Sequence, residues 1–151
     1  MTGGYYRRLA SFAGVLRLRL LFLAYAAGVL AVTVVPVRAF DYWGHVPWQA
    51  MIRWVPFVVD PLSMILNVVM FVPFGVLVPL IWRRAGATAA RLGWLALGAS
   101  LSIELTQLLL DITLGSRRTV DINDLIANTG GALIGWWVLR LARRESKALA
   151  G

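Results

Sequence analysis

The sequence predicts an all-α integral membrane protein, a bundle of about four transmembrane helices with both termini in the cytoplasm. Three observations predict it. The composition is 60% hydrophobic and only 15% charged, with a mean hydropathy of +0.75. Soluble domains run about 45–50% apolar and about 25% charged. The apolar residues also gather in blocks of the length a bilayer needs, roughly 17–25 residues per helix. Lastly, the basic residues concentrate on one side of those blocks.

Each block is read in turn. LLFLAYAAGVLAVTVV forms the first span, about residues 20–35. LSMILNVVMFVPFGVLVPLIW forms the second, about 62–82. LGWLALGASLSIELTQLLL forms the third, about 92–110, and DLIANTGGALIGWWVLRLA the fourth, about 124–142. None alternates as a strand would, and only helices or closed barrels satisfy their backbone in hydrocarbon. Residues 1–19 are read as a basic N-terminus, 20–142 as the transmembrane domain and 143–151 as a basic tail. The start of the chain also has the order of a signal peptide, ending at Val37-Arg38-Ala39. Its apolar run is at the long end for such a signal, which favours a retained span.

Four connected spans place the termini and the loop between spans two and three on one side. That side holds eleven arginines and lysines, including Arg83, Arg84, Arg91, Arg140, Arg143 and Arg144. The other side holds four: Arg38, Arg53, Arg117 and Arg118. The positive-inside rule assigns the first side to the cytoplasm. The net charge of +8 is then a topology signal and a contact with anionic lipid heads. No basic-aromatic interleaving suggests a nucleic-acid partner.

Other classes of function are excluded by what is missing. The chain has no cysteine, hence no disulfide, thiol nucleophile or thiolate metal site. A single histidine, His45, argues against a multi-histidine metal centre or a Ser-His-Asp triad. No phosphate-binding glycine loop is present. Residues 36–61 carry Trp43, Trp48 and Trp54, and tryptophan favours the headgroup level. The segment reads as an interfacial or re-entrant piece between spans one and two. It is either a lipid anchor or a lid over an outer pocket.

The polar residues inside the spans carry the functional signal. Glu104 is the one charge between Leu92 and Leu110. It lies six residues before the outer end of its span, about 9 Å below it at 1.5 Å per residue. Gln107 is one turn further out and Ser100 one turn further in. Asn67 reaches a similar depth on span two. Asp121, Asp124 and Asn128 share one helical face at spacings of three and four, and Arg117 and Arg118 sit in the loop before them. All of these lie in the outer leaflet. Ionisable groups in a membrane are costly, roughly 2.5–3.5 kcal/mol on insertion scales, so they are expected to face one another or a cavity. Glu104 is therefore expected in the bundle interior near Asn67, Asn128 and an arginine.

A structural explanation stands beside this one. Glu104, Asn67 and Asn128 would serve as interhelical glue, and Asp121 or Asn123 would cap the fourth helix. Gly131-x-x-x-Gly135 is a small-residue packing face. Pro73 interrupts span two beside the polar depth, and Trp136 and Trp137 pack or anchor at the inner side.

These residues also form a familiar series. Asn67-x-x-x-Phe71-x-Pro73-Phe74-Gly75 is followed by Glu104-x-x-Gln107. Arg118-x-x-Asp121-Ile122-x-Asp124 comes next, then Asn128-Thr129-Gly130-Gly131-Ala132-x-x-Gly135. The sequence resembles the VanZ-like family of small bacterial membrane proteins from about Trp54 to Trp137. Where the family has Asn-Thr-Leu-Gly, this chain has Asn-Thr-Gly-Gly, a departure at Gly130. The resemblance implies a multi-pass protein of the bacterial cytoplasmic membrane with a cell-envelope role. The founding member is associated with resistance to the glycopeptide teicoplanin. The resemblance brings no settled reaction mechanism.

The residues leave three chemistries open. In the first, Arg117, Arg118, Asn67, Gln107 and Asn128 bind the phosphate or carboxylate head of an envelope lipid or lipid-linked wall precursor. Glu104, Asp121 and Asp124 then supply acid–base chemistry, since a carboxyl in low dielectric is poised for proton transfer unless a cation pairs with it. In the second, the same residues bind, shield or move a lipid or lipophilic antibiotic without catalysis. In the third, the three carboxylates hold Mg²⁺ or Ca²⁺, against the competition of the arginines. The first two need no cofactor.

Overall fold

The computed structural model describes residues 3–34, 52–56, 60–114 and 120–149. Four long helices make up nearly all of it: α1 (Gly3–Val34), α2 (Pro61–Ile81), α3 (Ala89–Leu114) and α4 (Ile122–Ala148). Each contains a stretch long and apolar enough to cross a membrane, Ala13–Thr33, Pro61–Ile81, Ala89–Leu110 and Ile122–Ser146. The all-α membrane bundle expected from the sequence is thus the fold. The helices run beyond the apolar blocks at both termini. Arginine and lysine are good helix formers, so the basic flanks continue the helix.

The starts of three helices are fixed by local chemistry. Asp60 accepts a hydrogen bond from the Ser63 backbone N–H at 3.0 Å, and Pro61 takes the first helical position of α2. Proline there gives up an N–H that would be unpaired anyway. Thr88 Oγ1 accepts from the Arg91 N–H at 3.2 Å and starts α3. Asp121 Oδ1 accepts from the Asn123 N–H at 2.9 Å and starts α4. Of the two capping residues the sequence suggests, Asp121 is the cap.

The tightest pairing is α2 against α4, and glycine makes it. A side chain on Gly131 would run into the Val68 carbonyl, and one on Gly135 into the Val72 carbonyl. From the other side, a side chain on Gly75 would run into the Ala132 carbonyl. Backbone meets backbone along this seam, as small residues allow in membrane helices. Gly130 is different, because an added Cβ there meets nothing. The departure from the family pattern therefore falls where space is open.

Helix α3 joins through a stripe at every fourth residue: Leu92, Ala96, Ser100 and Glu104 are all buried. Phe71, Ala96 and Ala132 form the core between α2, α3 and α4, and Met70, Phe74, Ala99 and Ile103 pack against it. Helix α1 lies outside this trio. Its Phe22 ring meets Trp82 edge-on at 5.3 Å and Phe74 at 6.3 Å, and its Tyr25 hydroxyl donates to the Met70 carbonyl at 2.9 Å.

Large apolar side chains cover the outside, among them Leu23, Leu66, Trp94, Leu109 and Trp137. In water such a surface would drive association. Around a membrane bundle it is the lipid-facing surface. Ser102, Thr106 and Thr113 are exposed too, but each hydroxyl donates to the carbonyl four residues back, at 2.7–2.8 Å. They need no partner from another helix.

Candidate functional site

The buried polar residues gather at the end of the bundle where α3 finishes and α2 and α4 begin. Three features bring them there. The glycine seam holds α2 and α4 close, so the Asn67 side-chain amide donates to Asp124 Oδ1. The four-residue stripe turns Glu104 inward, where it is only 2% exposed. The same stripe points Ser100 at α4, where Asn128 Nδ2 donates to its hydroxyl at 2.9 Å.

Glu104 accepts from the backbone N–H of Asp121 at 3.3 Å. One buried carboxylate thus ties the outer part of α3 to the first residue before α4. The sequence anticipates its interior position, and the two asparagines expected near it have partners of their own. Asn67 pairs with Asp124, and Asn128 with Ser100. Gln107 is half-buried one turn beyond Glu104. Arg117, Arg118 and most of the tryptophan-rich segment, including His45, lie outside the described residues.

The part of that segment that is described does reach the site. Ile52–Arg53 (β1) pairs in parallel with Val120–Asp121 (β2), with Arg53 opposite Asp121. The Val55 carbonyl accepts from Asn123 Nδ2 at 3.1 Å. The same amide also donates to Asp121 Oδ1 at 2.7 Å. Residues 52–55 are therefore laid across the start of α4, over the polar cluster.

This changes the membership of the site. Arg53 enters it by register, lying opposite Asp121 in the β1–β2 pair. The sequence places Arg53 at the correct end but offers only one hint of a role, an isolated cation on the arginine-poor side. Asn123 enters as the clasp between β1 and the cap. Asp121 also caps α4, one of its oxygens accepting from both the backbone and the side chain of Asn123.

Two buried oxygens at this depth have no hydrogen-bond partner among the described residues, Asn128 Oδ1 and Thr129 Oγ1. An unpaired buried acceptor loses its water without compensation, a cost of roughly 1–3 kcal/mol. Asn128 Oδ1 is thus an acceptor available to a donor from outside the chain. Among the described residues no group of three or more His, Cys, Asp or Glu side chains is placed to hold a metal ion.

The sequence profile of the family described as VanZ/LLP1 matches residues 20–143, most of the chain. The match includes the second and third spans whole, most of the first and fourth, and every residue of the polar cluster. No curated protein and no solved structure matches the chain.

Proposed function

The chain belongs to the VanZ/LLP1 family, and from that premise we propose that its polar cluster binds the phosphate or carboxylate head of a cell-envelope lipid or lipid-linked precursor. One observation carries the reading. Residues from three helices, Glu104, Asn67, Asp124 and Asn128, meet at one depth in a bundle whose lipid-facing surface is largely apolar. Intramembrane polar groups are costly unless they serve packing or a ligand. Packing accounts for the Asn67–Asp124 and Asn128–Ser100 pairs. It leaves the Asn128 oxygen unused and adds a cation, Arg53, at the mouth.

The orientation follows from charge. The cluster lies at the end with few arginines, which the positive-inside rule assigns to the outer face of a bacterial cytoplasmic membrane. A ligand would then enter from the outer leaflet beneath residues 52–55. Arg53, Arg117 and Arg118 supply the guanidinium groups, whose planar fork suits phosphate and carboxylate. Asn67 orients the head through its remaining amide N–H, and Asn128 Oδ1 accepts from a hydroxyl or amine that the head group carries. Glu104 organises the start of α4 through the Asp121 N–H, and with Asp121 and Asp124 it is a candidate for proton transfer. Binding without turnover requires only the arginines and amides.

Native mass spectrometry with lipid identification tests the reading, on purified wild type, Arg118→Ala and Glu104→Gln. A phosphate-bearing envelope lipid retained by wild type and Glu104→Gln but lost from Arg118→Ala supports it. The same bulk phospholipids on all three proteins would leave interhelical packing as the cluster's whole role. Incubating the retained lipid with wild type and Glu104→Gln then separates the two versions. Conversion by wild type alone assigns catalysis to Glu104.

A further inference from the structure

The opposite end of the bundle carries a second polar feature, unconnected with the first. A cleft of about 220 Å³ opens between the α2–α3 turn and α4. Its walls are Pro79, Gly86, Trp136 and Leu139, and three arginines line it: Arg83 from the turn, Arg140 and Arg143 from α4. No carboxylate is among its lining residues. Neither Arg83 nor Arg143 has an ion-pair partner among the described residues.

The cleft is built rather than a chance grouping of surface charge. The turn is pressed onto α2 at Gly86, where a side chain would collide with the Pro79 ring. The Trp136 indole N–H donates to the Gly86 carbonyl at 2.9 Å and pins the turn to α4. Arg140, one turn along, stacks its guanidinium over that indole at 4.6 Å from the ring centre. This cation–π contact holds the arginine in place. Arg143 follows on the same face at a spacing of three. Arg140 and Arg143 thus line the cleft from α4 and Arg83 lines it from the turn.

Guanidinium groups lining one cleft without a carboxylate beside them, one of them held over an indole, suit a phosphate oxyanion. The level of the cleft points to the source of that phosphate. Exposed Trp82 and Trp137 lie at the same end, and tryptophan marks the headgroup zone. Exposed Ile134 and Val138 continue down α4 from there, an apolar surface for acyl chains. We propose that this cleft is a specific site for the phosphate of an anionic phospholipid in the arginine-rich leaflet. It shares no residue with the polar cluster, so it stands or falls independently of that site.

The test is displacement of fluorescent phosphatidylglycerol from the full chain in neutral detergent. Unlabelled phosphatidylglycerol, phosphatidylcholine and inorganic phosphate are the competitors. Arg140→Gln with Arg143→Gln removes two cleft charges. Arg84→Gln with Arg144→Gln removes two charges from the same end outside the cleft. The proposal expects the first pair to weaken binding by roughly tenfold or more and the second to change it little. It also expects phosphatidylglycerol to compete far better than either other competitor. Equal losses from the two pairs would show general attraction to a basic surface and overturn the site. Equal competition by inorganic phosphate or by phosphatidylcholine would overturn the anionic lipid. Should the first pair not purify as a monodisperse protein, Arg83→Gln compared with Arg84→Gln asks the same question from the turn.

Discussion

Replacing Gly131 by alanine, with Gly130→Ala as its neighbour control, is the sharpest structural prediction. The two substitutions add the same methyl group to the same helix, and both gain the same helix propensity over glycine. They differ in what the methyl meets. At Gly130 it meets open space, and at Gly131 it meets the Val68 backbone carbonyl. A carbonyl inside a helix cannot rotate away, so α2 and α4 must separate. Overpacking of this kind costs about 1–3 kcal/mol. For a chain of this size 1 kcal/mol moves the melting temperature by roughly 2–4 °C. Gly131→Ala is therefore expected to melt roughly 2–12 °C below Gly130→Ala. Intrinsic fluorescence of the seven tryptophans during heating in detergent measures the difference. Equal melting temperatures would refute the backbone seam between α2 and α4.

The remaining predictions follow the polar contacts. Glu104→Leu strands the Asp121 N–H and is expected to lose about 1–3 kcal/mol, whereas Glu104→Gln keeps an acceptor and loses less; chemical denaturation in detergent compares them. A double-mutant cycle on Asn67→Ala and Asp124→Ala is expected to give a coupling of about 0.6–1.7 kcal/mol, the range for hydrogen bonds between membrane helices, and a coupling of zero would remove that pair. Asp121→Asn preserves a good N-cap and should leave stability nearly unchanged, while Asp121→Ala should cost about 0.5–2 kcal/mol, read from the same melts. Trp136→Phe keeps the ring but loses the N–H to Gly86, with an expected loss of about 0.5–1.5 kcal/mol.

The spans were legible because a bilayer imposes a length and forbids unpaired backbone, so hydropathy alone locates four helices. Glu104 was legible as an interior residue because a charge in an apolar run has few other places to go. The stripe Leu92, Ala96, Ser100 and Glu104 then follows from helical periodicity. Specific partners were not legible. Asn67 pairs with Asp124, and Asn128 with Ser100, because the glycine seam sets how close α2 comes to α4 and at what register. That distance depends on three glycines meeting three carbonyls, which no single-helix pattern reveals. Arg53 was hidden for a related reason. Its segment is too short and irregular to have a periodicity, and its place comes from pairing with Val120–Asp121, 68 residues later in the sequence register. The arginine cleft likewise depends on a turn folded back at Gly86.

For an envelope lipid to reach it, the polar cluster must open to the outer side of the membrane. The absence of cysteine makes a direct measurement available. Trp54→Cys places a thiol on the exposed residue beside Arg53, and Arg84→Cys places one at the arginine-rich end. Each is treated with a membrane-impermeant maleimide in intact bacterial spheroplasts and again after lysis. The account predicts that Trp54→Cys is labelled in intact spheroplasts and Arg84→Cys only after lysis. The reverse pattern would put the cluster on the cytoplasmic side and contradict an outer-leaflet site.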